Sequence, residues 1–198
     1  MDTRIKQVEI LPLIKYYMDE LGVARLFAKY VPNAGMEIAP AQVLSMMVMN
    51  IMVSATPLYR MADWLHDYLD GVTERRFEAA KYNDDRLGRN LDLLFDADRS
   101  SFMAELSANA IRTHRLETEV MHNDSTSVTF IGDYDGADPK AVNITYGYNK
   151  DHRPDCKQIV FGLNITGDGH VPLSYQLYDG NQADVTTHVG NWEQLREM

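Results

Sequence analysis

Asp124 is the residue whose type and setting point most directly to chemistry. It stands between Asn123 and Ser125, where Val120, His122 and Asp124 alternate with Met121, Asn123 and Ser125 ahead of Val128-Thr129-Phe130. A carboxylate within a strand of a buried sheet is costly unless it is paired or holds a cation. From the residues alone two readings stand. One is a ligand for a hard divalent cation; the other is an exposed acid that ends the strand in a turn with Ser125 and Thr126. Asp133, Asp135 and Asp138 fall in a Gly- and Asp-rich stretch from Gly132 to Pro139 and read as loop acids. Asp155 and Asp179 flank later strands, from which one could approach Asp124, but solvated strand-end carboxylates are the commoner outcome. Lys150, Arg153 and Lys157 form a basic group suited to phosphate, offset by Asp151 and Asp155 if it is a solvated loop. His122 and His152 are potential metal ligands without the spacing of a zinc site. Cys156 has no evident base and reads as a small residue at a strand start.

The elements that carry these residues follow from the periodicity. A strand ends near Phe130, and a second runs from about Lys157 to Thr166 through Ile159, Val160, Phe161, Leu163 and Ile165. Gly167-Asp168-Gly169 is a hairpin turn. It leads to a third strand through Val171, Leu173, Tyr175 and Leu177, closed by Asp179-Gly180-Asn181. Thr186 or Thr187 opens a helix bearing Val189, Trp192 and Leu195. Residues before about 118 have the helical period instead. Leu13, Tyr16, Tyr17 and Leu21 give one apolar face, and Val23, Leu26, Phe27 and Tyr30 another beyond Gly22. Pro40 suits a first helical position, followed by Val43, Leu44, Met47, Val48, Ile51 and Met52. Thr56-Pro57 starts a helix with Leu58, Met61, Ala62 and Leu65. Asn83-Asp84-Asp85 starts another with Leu87, Leu91, Leu94 and Phe95, and Asp98 or Ser100 caps a last one with Phe102, Leu106 and Ile111. The methionines around 46–52 read as core packing rather than as an adaptable groove. No signal singles out the recognition helix of a helix-turn-helix.

The 198 residues are 45% hydrophobic and 24% charged, a globular composition with enough apolar surface for one large domain or two small ones. No apolar run reaches the roughly 18 residues needed to span a bilayer, so no membrane is expected. The N-terminus lacks the basic-then-apolar order of a signal peptide. One cysteine excludes an internal disulfide and suits a reducing cytoplasm. The net charge is −10. Up to Met121 there are 14 basic and 18 acidic residues, and after it 5 and 11. Neither part is a free-standing DNA binder by charge, since phosphate binding relies on clustered Lys and Arg.

An ordered set of residues nonetheless carries a resemblance. It comprises His122-Asn123-Asp124-Ser125-Thr126-Ser127, then Gly147-Tyr148-Asn149-Lys150-Asp151-His152-Arg153-Pro154-Asp155, Lys157-Gln158, Gly162-Leu163, and Asp179-Gly180-Asn181 with Asp184. Together these resemble the start of the catalytic domain of bacterial insertion-sequence DDE transposases. Asn83-Asp84-Asp85-Arg86-Leu87-Gly88-Arg89 and the region from Ile10 to Leu65 resemble the helical domain that precedes it in one branch of that family. The resemblance implies an α+β chain. A helical N-terminal domain over 1–118 would be followed, over 119–198, by the first three strands and first helix of an incomplete ribonuclease-H-like fold. It implies metal-dependent DNA strand cleavage and transfer, with three acids holding two Mg²⁺ or Mn²⁺ ions; one ion activates water or a DNA 3′-hydroxyl and the other stabilises the leaving oxygen. Asp124 matches the first acid, and no residue here matches the second or third. The expectation is therefore a transposase truncated on its C-terminal side and inactive alone. Its unpaired sheet edge would favour self-association or pairing with full-length transposase. Lys150, Arg153 and Lys157 would lie near DNA, the transposon ends being the partner of the complete enzyme. The alternative is a non-catalytic binding protein or inhibitor.

Overall fold

A computed structural model of the chain describes residues 8–33, 35–68, 78–134, 138–148, 153–183, 190–193 and 195. The chain divides into two compact units, 1–113 and 114–198. The expected boundary at 118/119 falls in the connection between the last helix of the first unit and the first strand of the second.

The first unit is helical: α1 (Leu11–Glu20), α2 (Val23–Tyr30), α3 (Pro40–Val53), α4 (Met61–Tyr68), α5 (Asp84–Asp96) and α6 (Arg99–His114). Pro12 occupies the first turn of α1 and Pro40 that of α3, where a missing N–H costs nothing. Gly22, at φ +70°, turns the chain from α1 into α2. Asn83 caps α5 by accepting from the Arg86 amide at 2.9 Å, and Asp98 accepts from the Ser101 amide at 3.0 Å at the start of α6. Thr56-Pro57 leads first into a single 3-10 turn, Leu58–Arg60, and only then into α4.

The core of this unit joins Leu11, Ile14 and Met18 of α1 to Leu26 and Phe27 of α2, Val43, Leu44 and Met47 of α3, Trp64 and Leu65 of α4, and Leu87 of α5. Met46, Met47 and Met49 are buried, as core packing requires. Fully buried Tyr82 places its hydroxyl 2.8 Å from Gln42 Nε2, which donates to it. Asn109 of α6 donates to the Leu21 carbonyl at the end of α1, satisfying one of that helix's terminal acceptors. The expected face of α1 needs correcting: Leu13, Tyr16 and Tyr17 are exposed, and the i, i+3, i+7 stripe Leu11–Ile14–Met18 is buried instead. Ile51 and Met52 are likewise exposed at the end of α3. Among the described residues no single helix is long and apolar enough to cross a membrane.

The second unit holds an antiparallel sheet in the order β1-β2-β3, formed by β1 (Met121–Phe130), β2 (Lys157–Thr166) and β3 (Pro172–Asp179). The β1–β2 register runs from Met121↔Thr166 to Phe130↔Lys157 without a break. Between β2 and β3 it shifts at Asn164/Ile165. The hairpin 167–169 is present as expected, with Asp168 accepting from the Glu117 amide at 3.0 Å. Residues 190–193 and 195 are helical; Thr186, Thr187 and Val189 of the expected helix lie outside the described residues.

The two faces of this sheet have an unexpected burial. Along β2 every second residue is buried, and the buried set is Gln158, Val160, Gly162, Asn164 and Thr166. Ile159, Phe161, Leu163 and Ile165, the more apolar alternates, are only half-buried.

Candidate functional site

Asp124 sits in the middle of β1, directly opposite Leu163, which in turn lies opposite Tyr175. Directly paired residues of an antiparallel sheet share a face. Asp124 therefore shares its face with exposed Thr126, Val128 and Leu177 and with half-buried Phe161, Leu163 and Tyr175. It is exposed, and its Oδ1 accepts from the Ser125 amide at 2.8 Å. It is thus not the buried, paired carboxylate of a structural core.

The opposite face fixes this placement. Asn123 Nδ2 donates to Asn164 Oδ1 at 2.9 Å and to the Leu163 carbonyl at 3.3 Å. Asn164 Nδ2 donates to Ser174 Oγ at 2.8 Å and to Asn191 Oδ1 at 2.7 Å, and Asn191 returns a bond to Asn164 Oδ1 at 2.9 Å. The Asn164 amide thus uses both donors and accepts twice, the full capacity of the group. One buried side chain ties β1, β2, β3 and the helical residues after them. A one-residue slip of β1 would break this network and send Asp124 to the other face.

The other candidate acids are not gathered around Asp124. Asp179 pairs with Ile159, four residues along β2 from Leu163 and on a strand two away from β1, so roughly 15 Å separates it from Asp124. Both its oxygens are engaged by Asn143, through the backbone N–H at 2.7 Å and Nδ2 at 2.8 Å. These bonds, the side-chain one first, hold its carboxyl below the ordinary value. Asp155 is held by Arg153 in a two-pronged pair of 2.9 and 2.8 Å, which keeps its carboxyl far below the usual range and raises the guanidinium correspondingly. Arg153 also reaches Cys156 Sγ at 3.2 Å. Asp138 accepts from the Lys140 amide within its own turn. Asp135 lies outside the described residues.

Among the basic candidates, Arg153 is committed to Asp155, and Lys157 Nζ donates to the Asp133 carbonyl. Lys157 shares the Asp124 face but stands about 20 Å along the strand from it. Lys150, with His152 and Asp184, lies outside the described residues. His122 is two residues from Asp124 on the same face, with its ring 6.2 Å from that of His170. No group of three or more His, Cys, Asp or Glu among the described residues is placed to hold a metal ion. The described residues therefore bring no second carboxylate beside Asp124 and do not by themselves fit a two-metal centre.

Residues 3–108 match the family described as Domain of unknown function (DUF4277). The chain belongs to the DUF4277 family. The match spans just over half of the 198 residues, lies within the helical unit and stops before β1. Asp124 and its sheet thus lie outside the part of the chain that defines membership in DUF4277. No curated protein and no solved structure matches the chain significantly.

Sequence reasoning placed Asn123 and Gln158 in the ordered set but gave them no structural role, and it did not single out Asn164, Ser174 or Asn191. The available signal was amides at alternate positions of an otherwise apolar strand, Gln158 and Asn164, on the same face as Thr166.

Proposed function

We propose that residues 1–198 form the front part of a divalent-metal-dependent DNA transposase with a ribonuclease-H-like core, in which Asp124 is the first of three metal-binding acids. In this reading the second and third acids come from residues outside 1–198, and the metal is Mg²⁺ or Mn²⁺. The observation that carries the reading is the setting of Asp124. A solvent-facing carboxylate stands midway along the edge strand β1, opposite half-buried Leu163, and among the described residues no second acid lies beside it. An exposed acid that merely ended a strand would sit at the strand's end, yet β1 continues for six residues beyond Asp124. The antiparallel β1-β2-β3 order, followed by helical residues at 190–193 and 195, is compatible with the opening of such a core. The ordered set from His122 to Asp184 supplies the rest of the support.

The test is a strand-transfer assay with Mg²⁺ on DNA carrying the element's terminal repeats. The purified 198-residue chain is expected to give no strand transfer, because one carboxylate cannot position a metal pair. Robust transfer by this chain alone would overturn the assignment of the remaining acids to other residues.

A second reading is a binding protein or inhibitor that pairs with full-length transposase. It is favoured by the outer edge of β1, which has no strand partner among the described residues, and by the net charge of −10, which disfavours direct DNA binding. Pull-down of full-length transposase without a gel shift of terminal-repeat DNA would support it; a gel shift without a pull-down would sink it.

A further inference from the structure

The connection between β1 and β2 returns to the sheet at residues 143–148, where β3 has already ended. Thr145 and Gln158 exchange backbone bonds, Gln158 N–H to Thr145 O at 2.9 Å and Thr145 N–H to Gln158 O at 3.1 Å. The Gly180 N–H donates to the Asn143 carbonyl at 3.1 Å, and Asn143 grips Asp179 through its own N–H and Nδ2. Gln158 lies beneath this junction, 1% exposed. Its Nε2 donates to the Gly180 carbonyl at 2.7 Å and to the Tyr148 carbonyl at 3.2 Å. The amide orientation is forced, since a flipped side chain would set its oxygen against two carbonyl oxygens. Among the described residues Gln158 Oε1 has no hydrogen-bond partner, so the donor bonds are made at the cost of an unsatisfied acceptor.

The backbones meet too closely for any side chain. A Cβ on Gly147 would lie 1.9 Å from the Gly180 carbonyl oxygen, and one on Gly180 would lie 2.0 Å from the Gln158 carbonyl oxygen. Neither glycine has a positive φ, so close approach is what requires glycine at both positions.

We infer that Gln158 is a positioning residue whose buried amide clasps residues 143–148 to the turn after β3. Residues 143–148 are thereby a fixed strap of the sheet, from which Tyr146 and Tyr148, 57% and 86% exposed, project. The clasp stands on this geometry and does not depend on the transposase reading.

The discriminating variant is Gln158→Met, similar in length and unable to donate. Amide hydrogen exchange in the full chain reads the result. The clasp predicts that exchange at the Thr145 and Gly180 amides rises about tenfold or more while the β1–β2 ladder between 123–127 and 160–164 keeps its protection. Unchanged exchange at Thr145 and Gly180, which is what a purely space-filling side chain gives, would overturn the clasp, and so would an equal rise across the whole of 114–198. If that variant fails to fold, Asn143→Ala, at an exposed position, decides instead. It should raise exchange at Gly180 with the ladder intact, and wild-type exchange there would refute the strap.

Discussion

Both oxygens of Asp179 are held by Asn143, through its backbone N–H and its Nδ2. This grip has a pH consequence. A carboxyl whose folded pKa lies below its unfolded value of about 3.9 contributes stability that is present above the unfolded value and lost as pH falls through the folded one. Asp179→Asn removes that contribution. Denaturant midpoints of the second unit should therefore fall less steeply in the variant than in the wild type below about pH 5. The other acids held low, Asp155 and Asp168 among them, titrate alike in both proteins, so the difference isolates Asp179. Parallel acid limbs would show that the Asn143 bonds do not shift Asp179. At this scale the strand position of Asp124 was legible in the period-two pattern, while its residue type left two readings, metal ligand or exposed acid, open. The roles of Gln158 and Asn164 were not legible, because a polar side chain within a strand reads as solvent-facing unless the partners that satisfy it are known.

Strand limits followed closely from the period-two pattern. β2 runs from Lys157 to Thr166 as expected, since apolar alternates bounded by a turn leave little freedom. Which face is buried did not follow. Apolar patterning favours the Ile159–Phe161–Leu163–Ile165 side, yet the amide network draws the helical residues near 191 to the other face. The same ambiguity misassigned α1, which carries two apolar stripes: Leu13, Tyr16 and Tyr17 on one side, and Leu11, Ile14 and Met18 on the other. Only packing against α2 and α3 selects between them, and those contacts are not local in sequence. Paired substitutions test the selection. Leu11→Ala, at a fully buried site, should lower unfolding stability by about 2–4 kcal/mol, and Leu13→Ala should stay within about 0.5 kcal/mol of wild type. Comparable losses would mean that the exposed stripe is also covered in solution.

For the whole chain, the two compact units bear different kinds of information. Residues 1–113 carry the family match and a continuous helical core; residues 114–198 carry the candidate acid, its register lock and the strap. Composition foretold a mixed chain, helical first and then stranded, because the hydrophobic period changes near 119. It could not foretell how many acids converge, since convergence depends on strands and helices distant in sequence. The account depends most on Asp124. Its most direct test is Mg²⁺-dependent nicking of terminal-repeat DNA by the product of the complete reading frame containing this sequence, wild type against Asp124→Asn. Loss of one ligand of a metal pair removes several kcal/mol of transition-state stabilisation, so the variant should cut about 10³-fold more slowly with its fold intact. Nicking at the wild-type rate in the variant would contradict the assignment of Asp124 as a catalytic metal ligand.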